Sequence, residues 1–104
     1  MDTYILVNKK AIPEPDPIKW SKSRKKSNWL VKKSIAGDVE VSTVFLGIDH
    51  SFSGSKEPLL FETMVFGGDL DQEMNRCSTW KQAEKMHEAM CNRVKETMQK
   101  LLEA

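Results

Sequence analysis

The sequence predicts an α+β fold: a small, mainly antiparallel sheet of four or five strands with a long C-terminal helix packed on one face. Three observations carry this expectation. Two runs rich in β-branched and aromatic residues, 39–48 and 59–66, flank a Ser/Gly-containing break that ends in Pro58, the pattern of an antiparallel pair with a long hairpin loop. The last quarter of the chain repeats apolar residues at spacings of three and four, the signature of a helix with one buried stripe. Finally, 104 residues support one modest core and not two, so residues 1–104 are expected to form a single domain.

Taken in order, Thr3–Asn8 is a short strand candidate and Asn8-Lys9-Lys10 its turn. Ala11–Pro17 carries three prolines at alternate positions, which excludes helix and central strand and favours an extended surface connection. Asp16 before Pro17 fits a helix start, with a capping carboxylate and proline at the first helical position. The helix is expected to be short, because Ser21, Ser23 and the neighbouring lysines weaken it. Ile18 and Trp20 are its expected anchors. Trp29–Ile35 reads as a strand with Trp29, Val31 and Ile35 on one face, Lys32 and Ser34 on the other, and Lys33 at an edge. Ala36-Gly37-Asp38 then turns the chain into the run 39–48.

Neither face of the central pair is cleanly polar, since Val44, Leu46, Ile48, Met64 and Phe66 alternate with an already apolar set. Either this chain's own elements cover both faces in part, or one face is buried against another molecule. Gly67-Gly68-Asp69 is a turn and Glu73–Cys77 a short edge strand. Thr79-Trp80-Lys81-Gln82 fits a capping box, and the helix it starts is expected to reach about Leu102. Its stripe is Trp80, Ala83, His87, Met90 with Cys91, Val94, Met98 and Leu101.

With 16 Lys+Arg against 15 Asp+Glu the formal net charge is +1, so global charge selects no partner. Its distribution is uneven: cations crowd 19–33 and carboxylates crowd 57–73, predicting a basic end and an acidic end. No run is long enough to cross a bilayer and the N-terminus lacks a signal-peptide pattern, so no membrane partner is expected. A cytoplasmic setting follows, with Cys77 and Cys91 as free thiols.

Four features carry chemistry. The first is a candidate polar cluster of Asp49, His50, Glu62 and His87, since carboxylates with imidazoles serve general base work or a divalent metal. Its spacing matches no metal signature, no phosphate loop or cofactor motif accompanies it, and no cofactor is expected. The competing reading is structural: His87 fills a gap beneath the sheet, Glu62 accepts from Arg76, and Asp49 caps the loop. The second is the basic segment Lys19–Lys33 between Trp20 and Trp29, suited to phosphate contacts and base stacking of a nucleic acid, or simply a solvated flank. The third is Phe52 on the tip of 51–57, a recognition finger or a cover for the sheet edge. The fourth is the methionines Met64, Met86, Met90 and Met98, core filler or an adaptable surface. The candidate partner-binding residues are Lys22, Arg24, Lys25, Lys26 and Phe52.

The block GDVEVSTVFLGIDHSF at 37–52, PLLFETMVFGG at 58–68, Ser78-Thr79-Trp80 and His87 resembles small proteins of bacteriophages and prophages that carry no assigned function. The resemblance covers 37–87 and leaves out the basic segment and the methionine-rich tail. It implies a product of a mobile element in the host cytoplasm, where small proteins bind and inhibit host systems, anti-CRISPR and other anti-defence proteins among them. The leading expectation is therefore a non-enzymatic protein-binding module, its partner a host factor or a second copy in a homodimer. Metal-binding or hydrolytic chemistry at Asp49, His50, Glu62 and His87 is the alternative, and nucleic-acid binding through Lys19–Lys33 the second.

Overall fold

The computed structural model describes residues 2–25, 29–51 and 57–103. Among the described residues six strands and two helices follow one another: β1 (Tyr4–Val7), β2 (Lys10–Pro13), α1 (Pro17–Lys22), β3 (Leu30–Ala36), β4 (Val39–Phe45), β5 (Phe61–Phe66), β6 (Met74–Cys77) and α2 (Trp80–Glu103). Strands β3-β4-β5-β6 form a four-stranded antiparallel meander, and β1-β2 form a separate two-stranded hairpin. The architecture is α+β, with α2 packed on one face of the larger sheet. No helix among the described residues is long and apolar enough to cross a membrane.

The hairpin departs from expectation, because the proline-rich stretch supplies β2. Asn8 and Lys9 both take positive φ, 51° and 66°, the backbone of a tight turn whose twist matches its strands. Pro13 is tolerated there because a two-stranded ribbon has only edges. Tyr4 donates its N–H to the Gly47 carbonyl at 2.8 Å and Thr3 bridges Ile48, stitching the hairpin to the chain leaving β4.

Helix α1 begins as read, with the Asp16 carboxylate accepting from the N–H groups of Ile18 and Lys19. Its anchors differ: Ile18 is 65% exposed, while Trp20 donates its indole N–H to the Gly47 carbonyl at 3.0 Å. Arg24 donates to the Phe45 carbonyl at 2.9 Å. At the end of the β4–β5 ladder Leu46 bonds Leu60, so the Phe45 carbonyl faces the β3 side. Trp20 and Arg24, with the Tyr4 N–H, supply donors to the Phe45 and Gly47 carbonyls. Gly47 has φ +74°, which favours glycine, and a Cβ there would stand 2.8 Å from the Arg24 guanidinium and displace it.

Val39, Val41, Thr43 and Phe45 of β4 and Phe61, Thr63 and Val65 of β5 are buried beneath Ala83, His87, Met90 and Val94 of α2. The core has two clusters. One joins Val39, Val41 and Val65 to Met90 and Val94. The other joins Phe45, Leu60 and Phe61 to Ala83, with the hairpin's Tyr4, Leu6 and Ala11 packed on it alongside Trp29, Val31 and Trp80. The capping box forms: Thr79 Oγ1 accepts from the Gln82 N–H, and Gln82 Oε1 accepts from the N–H groups of Thr79 and Ser78. Leu101, expected on the buried stripe, is exposed. A helix of 24 residues runs about 36 Å, against about 20 Å for strands of six or seven residues, so its last turns overrun the sheet.

The face of β3 is also corrected. A register shift falls between Leu30 and Lys32, so the alternation changes phase. Val31, at the shift, joins the core, whereas after it Ser34 turns toward α2 and Ile35 is 69% exposed. One extra residue in a strand flips every later side chain.

Candidate functional site

His87 sits on α2 where the helix crosses β3 and β4, and is only 1% exposed. Both ring nitrogens have partners: Nδ1 lies 2.6 Å from Thr43 Oγ1 and Nε2 lies 2.8 Å from Ser34 Oγ. Thr43 also bonds the Thr63 hydroxyl, so four side chains from β3, α2, β4 and β5 form one hydrogen-bonded chain across the core. Burial and the nearby Lys32 ammonium both disfavour a second proton on the ring and push the His87 pKa below its ordinary 6.5. The ring is therefore neutral near pH 7.

The other three members of the expected cluster lie elsewhere. Glu62 stands opposite Val44 and Arg76 in the ladder, on the face of the sheet away from α2, and pairs with Arg76 at 3.0 Å. One position separates Glu62 from Thr63, and that position puts it on the wrong side to meet His87. Asp49 Oδ1 accepts from the N–H groups of Ser51 at 2.8 Å and Leu59 at 3.0 Å. It closes the neck of the long loop, and these donors hold its carboxyl below the ordinary carboxylate range. His50 donates its backbone N–H to Leu59. The four residues do not converge, and among the described residues no group of three or more His, Cys, Asp or Glu side chains is placed to hold a metal ion.

Of the candidate partner-binding residues, Lys22 and Lys25 are exposed at the α1 end. Arg24 is not available there, since it is committed to the Phe45 carbonyl and lies 5.6 Å and 5.8 Å from the Trp20 and Phe45 ring centres. Trp29 packs against the core. Lys26 and Phe52 lie outside the described residues. The opposite end of the sheet carries Asp38 on the β3–β4 turn and Asp69 and Asp71 on the β5–β6 turn, whereas Asp16 and Asp49 lie at the α1 end, so the expected charge separation is only partial. Cys77 and Cys91 are free thiols, and burial raises the Cys77 pKa and keeps it protonated.

Two further surfaces adjoin these residues. One is a groove of about 460 Å³ between β3 and α2, with Ser34 and His87 among its lining and Lys32, Glu84, Glu88 and Lys95 around them. The other is the sheet face turned away from α2. Sequence reasoning found His87 and missed its partners. Thr43 and Thr63 were detectable as the polar members of otherwise apolar inward alternations, directly opposite each other in the ladder. Ser34 was hidden by the register shift before it.

The fold and the site define a class: a small α+β protein whose sheet is roofed on one face and threaded by a buried hydroxyl–imidazole chain. No family model, curated protein or solved structure matches the chain.

Proposed function

We propose that this protein works by binding another protein through the sheet face that α2 leaves uncovered. The observation that carries the reading is the make-up of that face. Ile35 and Phe66, 69% and 45% exposed, share the row that runs through Glu40. Met64 and Met74 form the next row, and the pairs Lys33–Glu40 and Glu62–Arg76 flank them. Apolar residues among oriented charges suit an interface with a dry centre and a polar rim. The resemblance to bacteriophage proteins supplies the setting, an inhibitor that covers a surface of a host defence complex in the manner of anti-CRISPR proteins.

The test uses Phe66→Glu, which places a charge at an exposed position without entering the core. Wild-type protein is expected to retain a host protein from lysate, or to sediment as a dimer, and the variant to do neither. Wild-type protein that sediments as a monomer and retains nothing, or a variant that behaves like wild type, overturns the reading.

A further inference from the structure

We propose that Ser34 is an activated nucleophile, with His87 as its base, placed to accept an acyl or phosphonyl group from an electrophile that enters the groove between β3 and α2. The geometry is that of a hydroxyl and a base in contact, Ser34 Oγ to His87 Nε2 at 2.8 Å, within the range required of such a pair. A third group orients the base, since Thr43 Oγ1 holds Nδ1 at 2.6 Å and is itself held by Thr63. When Thr43 passes its hydroxyl proton toward Thr63 it accepts from Nδ1–H, which leaves the Nε2 lone pair facing the Ser34 hydroxyl. The assignment is to this tautomer, in which Thr43 and Thr63 are positioning residues.

Access and charge agree with the role. Ser34 is half-buried and lines the groove of about 460 Å³, so the hydroxyl is reached from outside while the imidazole behind it is not. Odd-numbered residues of β4 face β3, and Ser34 stands opposite Val41, so the N–H of Ile35 points away from β4 at the sheet's edge. The amide after a nucleophile is a recurrent donor to a developing oxyanion, and Lys32 on the same wall adds positive charge.

In the step itself, Ser34 Oγ bonds to the electrophilic carbon or phosphorus as its proton passes to His87 Nε2. The bond to the leaving group breaks, and that group departs with the electron pair as nitrophenolate or fluoride. The imidazolium then gives that proton from Nε2 to the departing anion in the groove, which leaves as nitrophenol or hydrogen fluoride, and the ring is neutral again. The ligand class is a small activated ester or fluorophosphonate, and the inference stands independently of the binding face on the other side of the sheet.

The experiment treats the full chain with a fluorophosphonate and follows the intact mass and the modified peptide. One adduct on Ser34 is expected, absent after prior unfolding in urea and absent in Ser34→Ala, whose thermal unfolding reports that the fold persists. Thr43→Val is expected to slow labelling at least about tenfold, a part of the roughly 10²–10⁴ that base catalysis supplies. Because that variant also loosens the core, nitrogen NMR of wild-type His87 gives a second readout, a protonated Nδ1 and a bare Nε2. No adduct, labelling of Ser34 no faster than of Ser42 or Ser78, or the opposite tautomer each overturns the proposal.

Discussion

The two faces of the β3–β6 sheet are built from neighbouring residues and do opposite things. Toward α2, β4 and β5 present Val39, Val41, Thr43, Phe45, Phe61, Thr63 and Val65, all buried. Their polar members satisfy each other through His87. Away from α2, the residues in between leave their charges in half-exposed ion pairs and their apolar groups partly in water. Thr63 and Glu62 are adjacent in sequence, yet one belongs to a closed network and the other to an open surface. Chemistry that looks like one cluster in sequence is divided by the pleat of a strand.

The sharpest test of that division is a pair of truncations. Phe61 is wholly buried between Phe45 and Trp80, with ring centres at 5.3 Å and 6.3 Å. Phe61→Ala is expected to cost about 3–5 kcal/mol, whereas Phe66→Ala on the open face costs less than about 0.5 kcal/mol. Urea unfolding of both variants measures this, and equal losses would show that the open face is covered in solution.

The next contrast compares adjacent strand positions. Thr43→Val keeps shape but leaves His87 Nδ1 and the Thr63 hydroxyl short of a buried partner, an expected loss of about 1–3 kcal/mol. Ser42→Ala, one residue away on the other face, is expected to fall within about 0.5 kcal/mol of wild type. Chemical denaturation decides between them. A harmless Thr43→Val would mean that water reaches the chain of hydroxyls.

The buried imidazole adds a pH dependence on the α2 side of the sheet. Its folded pKa lies below the ordinary 6.5, so the unfolded chain binds the extra proton first. The stability that follows is fully present above pH 6.5 and is lost as pH falls from there toward the folded value. Asp49, also depressed, contributes stability that is lost only as pH falls below its ordinary 3.8, so its window opens at lower pH than that of His87. Denaturation midpoints measured at about pH 7.5 and about pH 5 should therefore differ for wild type. The difference should shrink in His87→Leu, and an unchanged slope there would assign it to another group.

Much of the frame was legible in the sequence: the capping box at Thr79, the Asp16-Pro17 helix start, the Gly37 and Gly67-Gly68 turns and the pairing of the two central runs each have a local signal. What escaped depends on longer range. The register shift before Lys32 leaves no mark in the spacing of Val31, Ser34 and Ile35, so Ser34 was assigned to the wrong face. Pro13 argued against a strand because its partner, β1, could not be known to form an isolated ribbon. The proposed cluster failed because membership turned on which way Glu62 points, and the register of β5 against β4, set by its inward Phe61, Thr63 and Val65, decides that. His87 was legible as an inward residue from its place on the helix stripe, and Thr43 as a polar member of an inward alternation, though Ser34, the partner of the other ring nitrogen, was not.

The smallest expected effect sharpens the comparison most for function. Glu62 and Arg76 pair at 3.0 Å with side chains 15% and 31% exposed, close enough to solvent that their coupling in a double-mutant cycle of Glu62→Gln and Arg76→Ala is expected at about 0.2–1 kcal/mol. Salt at about 1 M shortens the screening length to about 3 Å and should remove most of it. If a partner covers this face, water leaves the pair and the local dielectric falls, so the same cycle carried out on binding should give a larger coupling than the cycle on unfolding. Equal couplings in both would place the partner's contact elsewhere, on the groove side or at the charged ends.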